Sequence, residues 1–310
     1  MTVLLRDGTG AGSGALLPWF SSVLSAARRA LRRLLPPGSA ADVPAPAGGA
    51  PAQARTAVLE RALAECVARD GEEHPEAIAA RNNLAGGYAA SGRSDEAAAQ
   101  FTRALDDAVR TLGEQHPLTE VVRENLALCH EDAARFADAA QHWRRLLDQR
   151  SARLGEDDPD TVLTRARLAS ACRRADRFAE AVAHYRCALE RDAAFSVEEA
   201  ETWRLGLALA LCRTGREDES REQLRAVLAQ RRRRLGARHP RTLAVHHRLG
   251  LSYVHSDRPD EAVGVLRETY RNCLAAAGDP EVRLLSLRVR RDLAAAYRAA
   301  GRPGDAAALY

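Results

Sequence analysis

The stretch at residues 71–105, GEEHPEAIAARNNLAGGYAASGRSDEAAAQFTRAL, decides the fold. It opens on a Gly-x-x-His-Pro loop that ends at Pro75, and nine residues on comes Leu84, followed at once by the small Ala85. A second small residue, Ala97, falls thirteen positions after the leucine, and the bulky Phe101 four further. The same arrangement recurs along the chain. Pro117 and Pro159 follow Pro75 at 42-residue intervals in Gly-x-x-(His/Asp)-Pro loops, and Pro240 closes a related one. The leucine returns at Leu126, Leu168, Leu207, Leu249 and Leu293, each before Ala or Gly. The later small residues are Ala139, Ala181, Ser220, Ala262 and Ala306; the bulky ones are Trp143, Tyr185, Leu224, Leu266 and Tyr310.

Each unit reads as two amphipathic helices, a first helix A and a second helix B. Proline after His or Asp suits the first turn of helix A, where its missing N–H costs nothing, and Gly113, Gly155 and Gly236 suit a left-handed turn ending helix B. Small residues let the paired helices approach, while the leucine and the bulky residue fill the seam. Neither helix buries its apolar stripe alone, so neighbouring units must stack, and the expectation is a superhelix with a concave side.

Composition removes several functions. The 310 residues carry 46 basic side chains, all arginine, against 42 carboxylates. With no lysine there can be no Walker A lysine, kinase strand lysine or pyridoxal Schiff base. Beyond residue 50 the charges nearly balance, which gives nucleic-acid binding no general support. The six cysteines lie far apart without a CxxC pair and read as reduced core fillers of a cytoplasmic protein. The longest charge-free stretch, residues 8–27, is broken by Pro18 and is no membrane span; a cleavable signal is also poorly matched.

The spacing resembles the tetratricopeptide repeat family. Leu249, Gly250 and Tyr253 carry its Leu-Gly-x-x-Tyr pattern, and Leu84, Ala85, Tyr88, Ala97 and Phe101 the same with alanine for glycine. The 42-residue period and the Asn82-Asn83-Leu84-Ala85 motif after a Gly-Glu-x-His-Pro loop look like the kinesin-light-chain type of repeat found in bacterial proteins. The resemblance implies an all-α fold, a right-handed superhelical solenoid of antiparallel helix pairs, over about residues 54–310. That region divides into one unpaired helix B (Leu59, Ala62 and Leu63 match Phe101, Ala104 and Leu105), five full repeats, and a sixth truncated in helix B. The third-to-fourth step shortens to 39 residues, with Phe195-Ser196-Val197 replacing the proline loop, and the fifth-to-sixth lengthens to 44. The chain stops without a polar capping helix, so its last edge calls for a cover: a partner, a second copy through self-association, or further chain.

Residues 1–53 read as a flexible segment: glycine-rich to 14, then a short basic amphipathic helix over about 15–35, then a Pro/Ala/Gly linker. In the helix, Leu17, Phe20, Leu24 and Leu31 share a face and Arg28, Arg29, Arg32 and Arg33 the other. Docking on the solenoid, no role, and weak contact with an anionic membrane surface all fit it; docking or no role is the simpler reading.

A ligand site is expected on the concave side, along the positions of helix A that lie off the seam. There the first two units are neutral to acidic and the later ones basic with apolar patches. In related peptide-binding repeats, asparagine just before the leucine can donate to and accept from a peptide backbone, which the resemblance carries onto Asn83 and Asn125 alone, with Asn82 beside them. Arg167, Arg174, Arg213, His247, Arg248 and Arg291 complete the candidate set, their arginine forks matching carboxylate or phosphate.

Other features carry less. Residues 231–234, four arginines, end a helix B, where positive charge complements the helix dipole. His246, His247 and His255 have no HExxH or carboxylate companion, so no metal site is assigned. His74, His116 and His239 read as helix-start residues. No serine elbow, glycine-rich nucleotide loop or inward carboxylate pair is present, and no cofactor is called for. The expectation is a non-enzymatic scaffold that binds an extended, acidic protein segment in its groove. Two alternatives stand beside it: a regulatory or sensor module acting with a separate ATPase, protease or DNA-binding protein, and an RNA-binding solenoid, which lacks concave aromatic residues for stacking.

Overall fold

The computed structural model describes residues 52–310. The amphipathic segment at 15–35 and its linker lie outside the described residues. Among the described residues there is no strand; thirteen α-helices follow one another.

Two compact units divide between Arg153 and Leu154. In the first, α1 (Ala52–Asp70) packs on α2 (Pro75–Ala90), α2 on α3 (Ser94–Leu112), and α3 on α4 (Pro117–Asp132). Trp143 of α5 (Phe136–Leu154) donates from Nε1 to Glu131 Oε1 of α4 at 2.7 Å. In the second unit α6 (Pro159–Arg174) pairs with α7 (Phe178–Leu189), α8 (Val197–Arg213) with α9 (Glu217–Leu235), α10 (Pro240–His255) with α11 (Pro259–Leu274), and α12 (Pro280–Ala299) with the five-residue α13 (Pro303–Ala307).

The seam is built as its periodicity requires. All six leucines and the small residues that follow them are buried, as are all six later small residues. A buried leucine contributes about 2 kcal/mol, so the seam is the main source of stability in each pair. Five of the six bulky positions are buried too. Tyr310 departs: α13 ends at Ala307, leaving the ring 75% exposed under the Arg290 guanidinium, 4.8 Å from its centroid.

Helix starts follow from the loop residues. Nδ1 of His74, His116 and His239 accepts the backbone N–H of Glu76, Leu118 and Arg241 at 3.3, 3.1 and 3.2 Å. Asp158 and Asp279 do the same from their carboxylates, each cap being worth about 1 kcal/mol. Ser196 replaces the proline loop by a capping box with Glu199, closing a segment in which α7 is only 12 residues long. Gly113 and Gly236 have the positive φ foreseen, near 90°, but ψ of 165° and 162° put them in the extended region reserved to glycine, not the left-handed helical one.

The lengthened step combines an α12 of 20 residues, where α2, α4, α6 and α10 have 16, with an α11 of 16, where α3, α5 and α9 have 19. All six cysteines are free thiols and four are buried. Burial pushes the Cys129 and Cys273 thiols up to about 11.

Candidate functional site

Within the two units one face of helix A meets helix B and, at α2–α4, α6–α8 and α10–α12, a neighbouring helix A, which leaves an outer stripe recurring at i, i+3/i+4 and i+7. The two units differ in their overall charge. Residues 52–153 carry 13 arginines and 17 carboxylates; residues 154–310 carry 28 and 23.

In the first unit, Asn125 Nδ2 donates to Asn82 Oδ1 at 2.9 Å, and both side chains are buried. The amides bind α4 to α2 and are turned toward each other. Asn83 is half-buried beside them. In the second unit the same register holds His247 Nε2 2.9 Å from Asp292 Oδ2, again joining neighbouring helices A. Burial alone would raise the Asp292 carboxyl, but hydrogen bonds from His247 and Arg291 hold it below the usual carboxylate range. His247 is thus buried, whereas Arg291 Nε reaches Asp292 Oδ1 at 3.0 Å from an exposed position.

The remaining candidates fall on the outer stripe of the second unit. Arg174, Arg213 and Arg248 are exposed and Arg167 is half-buried. The Arg213 guanidinium lies 4.5 Å over the Phe178 ring and 4.0 Å from Asp176. Between these cations Leu205, Leu209 and Leu251 are half-buried, and Val254 and His255 exposed. Gly206 interrupts the polar position before the leucine for a steric reason: a Cβ there would lie 2.5 Å from Cζ and Oη of Tyr185.

Three ionic repeats escape a reading based on apolar periodicity. Arg81, Arg123 and Arg165, three residues before the seam leucine, reach back to Glu72, Glu114 and Glu156 of their own loops, with Arg81 also 2.6 Å from Asp107. At the turn between helices A and B, Arg93, Arg177, Arg216, Arg258 and Arg302 each pair with the acid three residues on at 2.6–2.7 Å. Glu120 and Glu201, at one equivalent position, are buried against Arg150 and Arg153, and Arg231 and Arg234. Their recurrence at the repeat step, 42 residues for Arg81, Arg123 and Arg165, was the available signal.

The arginine run at 231–234 is largely neutralised by neighbouring helices, since Arg231 and Arg234 meet Glu201 and Arg232 meets Glu268 at 2.8 Å. Among the described residues no group of three His, Cys, Asp or Glu could hold a metal ion, and no helix is long and apolar enough to cross a membrane.

The tetratricopeptide repeat pattern matches residues 76–142, 118–194 and 198–275. No curated protein sequence matches the chain. Among solved structures, it is similar to the nearly identical TPR-like repeats of a putative kinesin light chain from Podosopora anserina. There the identity is 20% and the TM-score 0.54, with 70% of this chain and 97% of that one covered. BtubC (BKLC) from P. vanneervenii is similar at 19% identity and TM-score 0.55, covering 74% and 94%. A repeat protein from Parabacteroides merdae covers 94% and 93% at 14% identity and TM-score 0.51. At such identities these likenesses show the fold alone. With the repeat pattern spanning well over half its length and the seam built as described, the chain belongs to the tetratricopeptide repeat family.

Proposed function

We propose that the chain is a non-enzymatic scaffold for protein partners, and that the outer stripe of helices A in its second unit holds an extended, acidic segment. The observation that carries this is the alternation on one stripe of exposed guanidinium groups with half-buried leucines: Arg174, Arg213, Arg248 and Arg291 with Leu205, Leu209 and Leu251. Arginine forks bind carboxylates in pairs of hydrogen bonds, and leucines left partly open gain by covering.

The test is fluorescence anisotropy with labelled peptides on the whole chain. Acidic peptides with apolar residues bind, affinity falls as salt rises, and Arg174→Glu with Arg213→Glu abolishes binding while the circular dichroism spectrum is kept. Unchanged affinity in that variant would remove the assignment.

A further inference from the structure

We infer that residues 22–35, which lie outside the described residues, supply the helix A that α1 lacks and dock on its open side. Nothing in this contact depends on the stripe of the second unit.

Among the described residues α1 is covered on one side. Leu59 Cδ1 lies 2.7 Å from the place a Cβ on Gly87 would take, and Cys66 packs with Ala77 and Ala80, so this side belongs to α2. The other side is measured against α3, a helix B that packs on both α2 and α4. Leu59, Ala62 and Glu65 stand where α3 has Phe101, Ala104 and Asp107. In α3 the first two are 0% exposed and Asp107 is buried. In α1 Leu59 and Ala62 are only half-buried, Glu65 is exposed, and Val58 beside them is 50% exposed. Every one of these differences is what removal of a preceding helix A would produce, and partly open apolar side chains gain by covering.

The segment fits that place in register. Arginine stands three residues before the seam leucine at Arg81, Arg123, Arg165, Arg204 and Arg290, and Arg28 stands three before Leu31. In the first full pair this arginine donates to Asp107 at 2.6 Å, and the α1 counterpart of Asp107 is the exposed Glu65. With Leu31 at the seam, Ala27 and Leu35 fall where Ala80 and Tyr88 are 3% and 8% exposed. Ser21 then takes the N-cap place of His74, a role its hydroxyl suits, and Pro36-Pro37 stop the helix where α2 stops. Ser25 and Arg32 depart, standing where α2 has Ile78 and Ala85, so this pair closes less tightly than the next. Charge favours the contact: residues 21–35 bring four arginines and no acid to a unit whose residues 52–153 carry 13 arginines and 17 carboxylates. Residues 36–51 reach about 50 Å when extended, ample for an antiparallel return between helices about 10 Å apart.

The experiment is hydrogen exchange read by mass spectrometry on the full chain, with an isolated peptide of residues 15–37 as reference. Residues 22–35 exchange tenfold or more slowly in the chain than in the peptide. Leu31→Asp and Val58→Asp each remove that protection, while residues 94–153 keep theirs. Arg28→Glu and Glu65→Arg each weaken it, and the two together restore it; no recovery in the double variant overturns the register. Exchange at the peptide's rate overturns the docking, as does protection that survives Val58→Asp. Protection that grows with protein concentration assigns the contact to a second copy, and protection seen only with vesicles of anionic phospholipid assigns it to a membrane surface; either result overturns docking within the chain.

Discussion

Inside the fourth helix pair Glu201, 1% exposed, accepts from Arg231 Nε at 2.9 Å. The equivalent carboxylate of the second pair, Glu120, meets Arg150 and Arg153 at the positions that correspond to Arg231 and Arg234. In the fifth pair the same three places hold Leu243, Cys273 and Ala276, packed against one another. The exchange is concerted, as charge balance demands, since a single buried charge without its partner costs about 3–5 kcal/mol.

Glu201→Leu alone is therefore expected to lower stability by about 3 kcal/mol, read as a lower denaturation midpoint. Adding Arg231→Cys and Arg234→Ala, which reproduces the fifth pair, recovers most of the loss. A neutral single variant would show the ion pair to be idle.

Ala134 has φ 57° at the turn between α4 and α5, where Gly92, Gly215 and Gly301 stand at equivalent turns with φ of 71–78°. A side chain costs about 1–2 kcal/mol in that conformation, and glycine gives part of this back as unfolded-state entropy. Ala134→Gly should raise stability by about 0.5–1 kcal/mol, measurable as a higher melting temperature.

Gly206→Ala is the opposite case. The added methyl meets the Tyr185 ring, so a loss of about 1–3 kcal/mol is expected. Gly264, whose Cβ direction is open, is the control: Gly264→Ala in α11 should be neutral or stabilising.

Burial, aided by the neighbouring His130 and Arg123, pushes the His142 imidazole down to about 4. His130 stacks on it at 5.5 Å and Asp138 opposes the shift only weakly. The unfolded chain takes up this proton near pH 6.5 and the folded chain only near 4. Stability is thus complete above about 6.5 and declines as pH falls toward 4, by about 2 kcal/mol after solvent screening. Burial places His246 at about 4 as well. Denaturant midpoints measured from pH 7 to 4 should fall, and His142→Gln should flatten part of that decline.

The helix pairs were legible because Leu84, Ala85, Ala97 and Phe101 encode a dry seam, and a dry seam demands the same residue types in every copy. Glu120 and Glu201 were hidden for the converse reason: each sits where Ile78 and Leu243 are apolar, and a buried carboxylate has no apolar signature. Asn82 and Asn125 were read as facing a ligand because sequence gives position along one helix, not distance to the next. Arg174, Arg213 and Arg248 were named from helical phase alone, which fixes the direction of a side chain and not what it meets.

The four added residues of α12 amount to nearly one full revolution, so its leucine, alanine and tyrosine at 293, 294 and 297 keep their heading. In α12 the added length therefore comes as a quantum of one revolution. A segment gained or lost as a whole revolution slides through unnoticed by the neighbours, whereas two residues more or fewer would swing Leu293 out toward water.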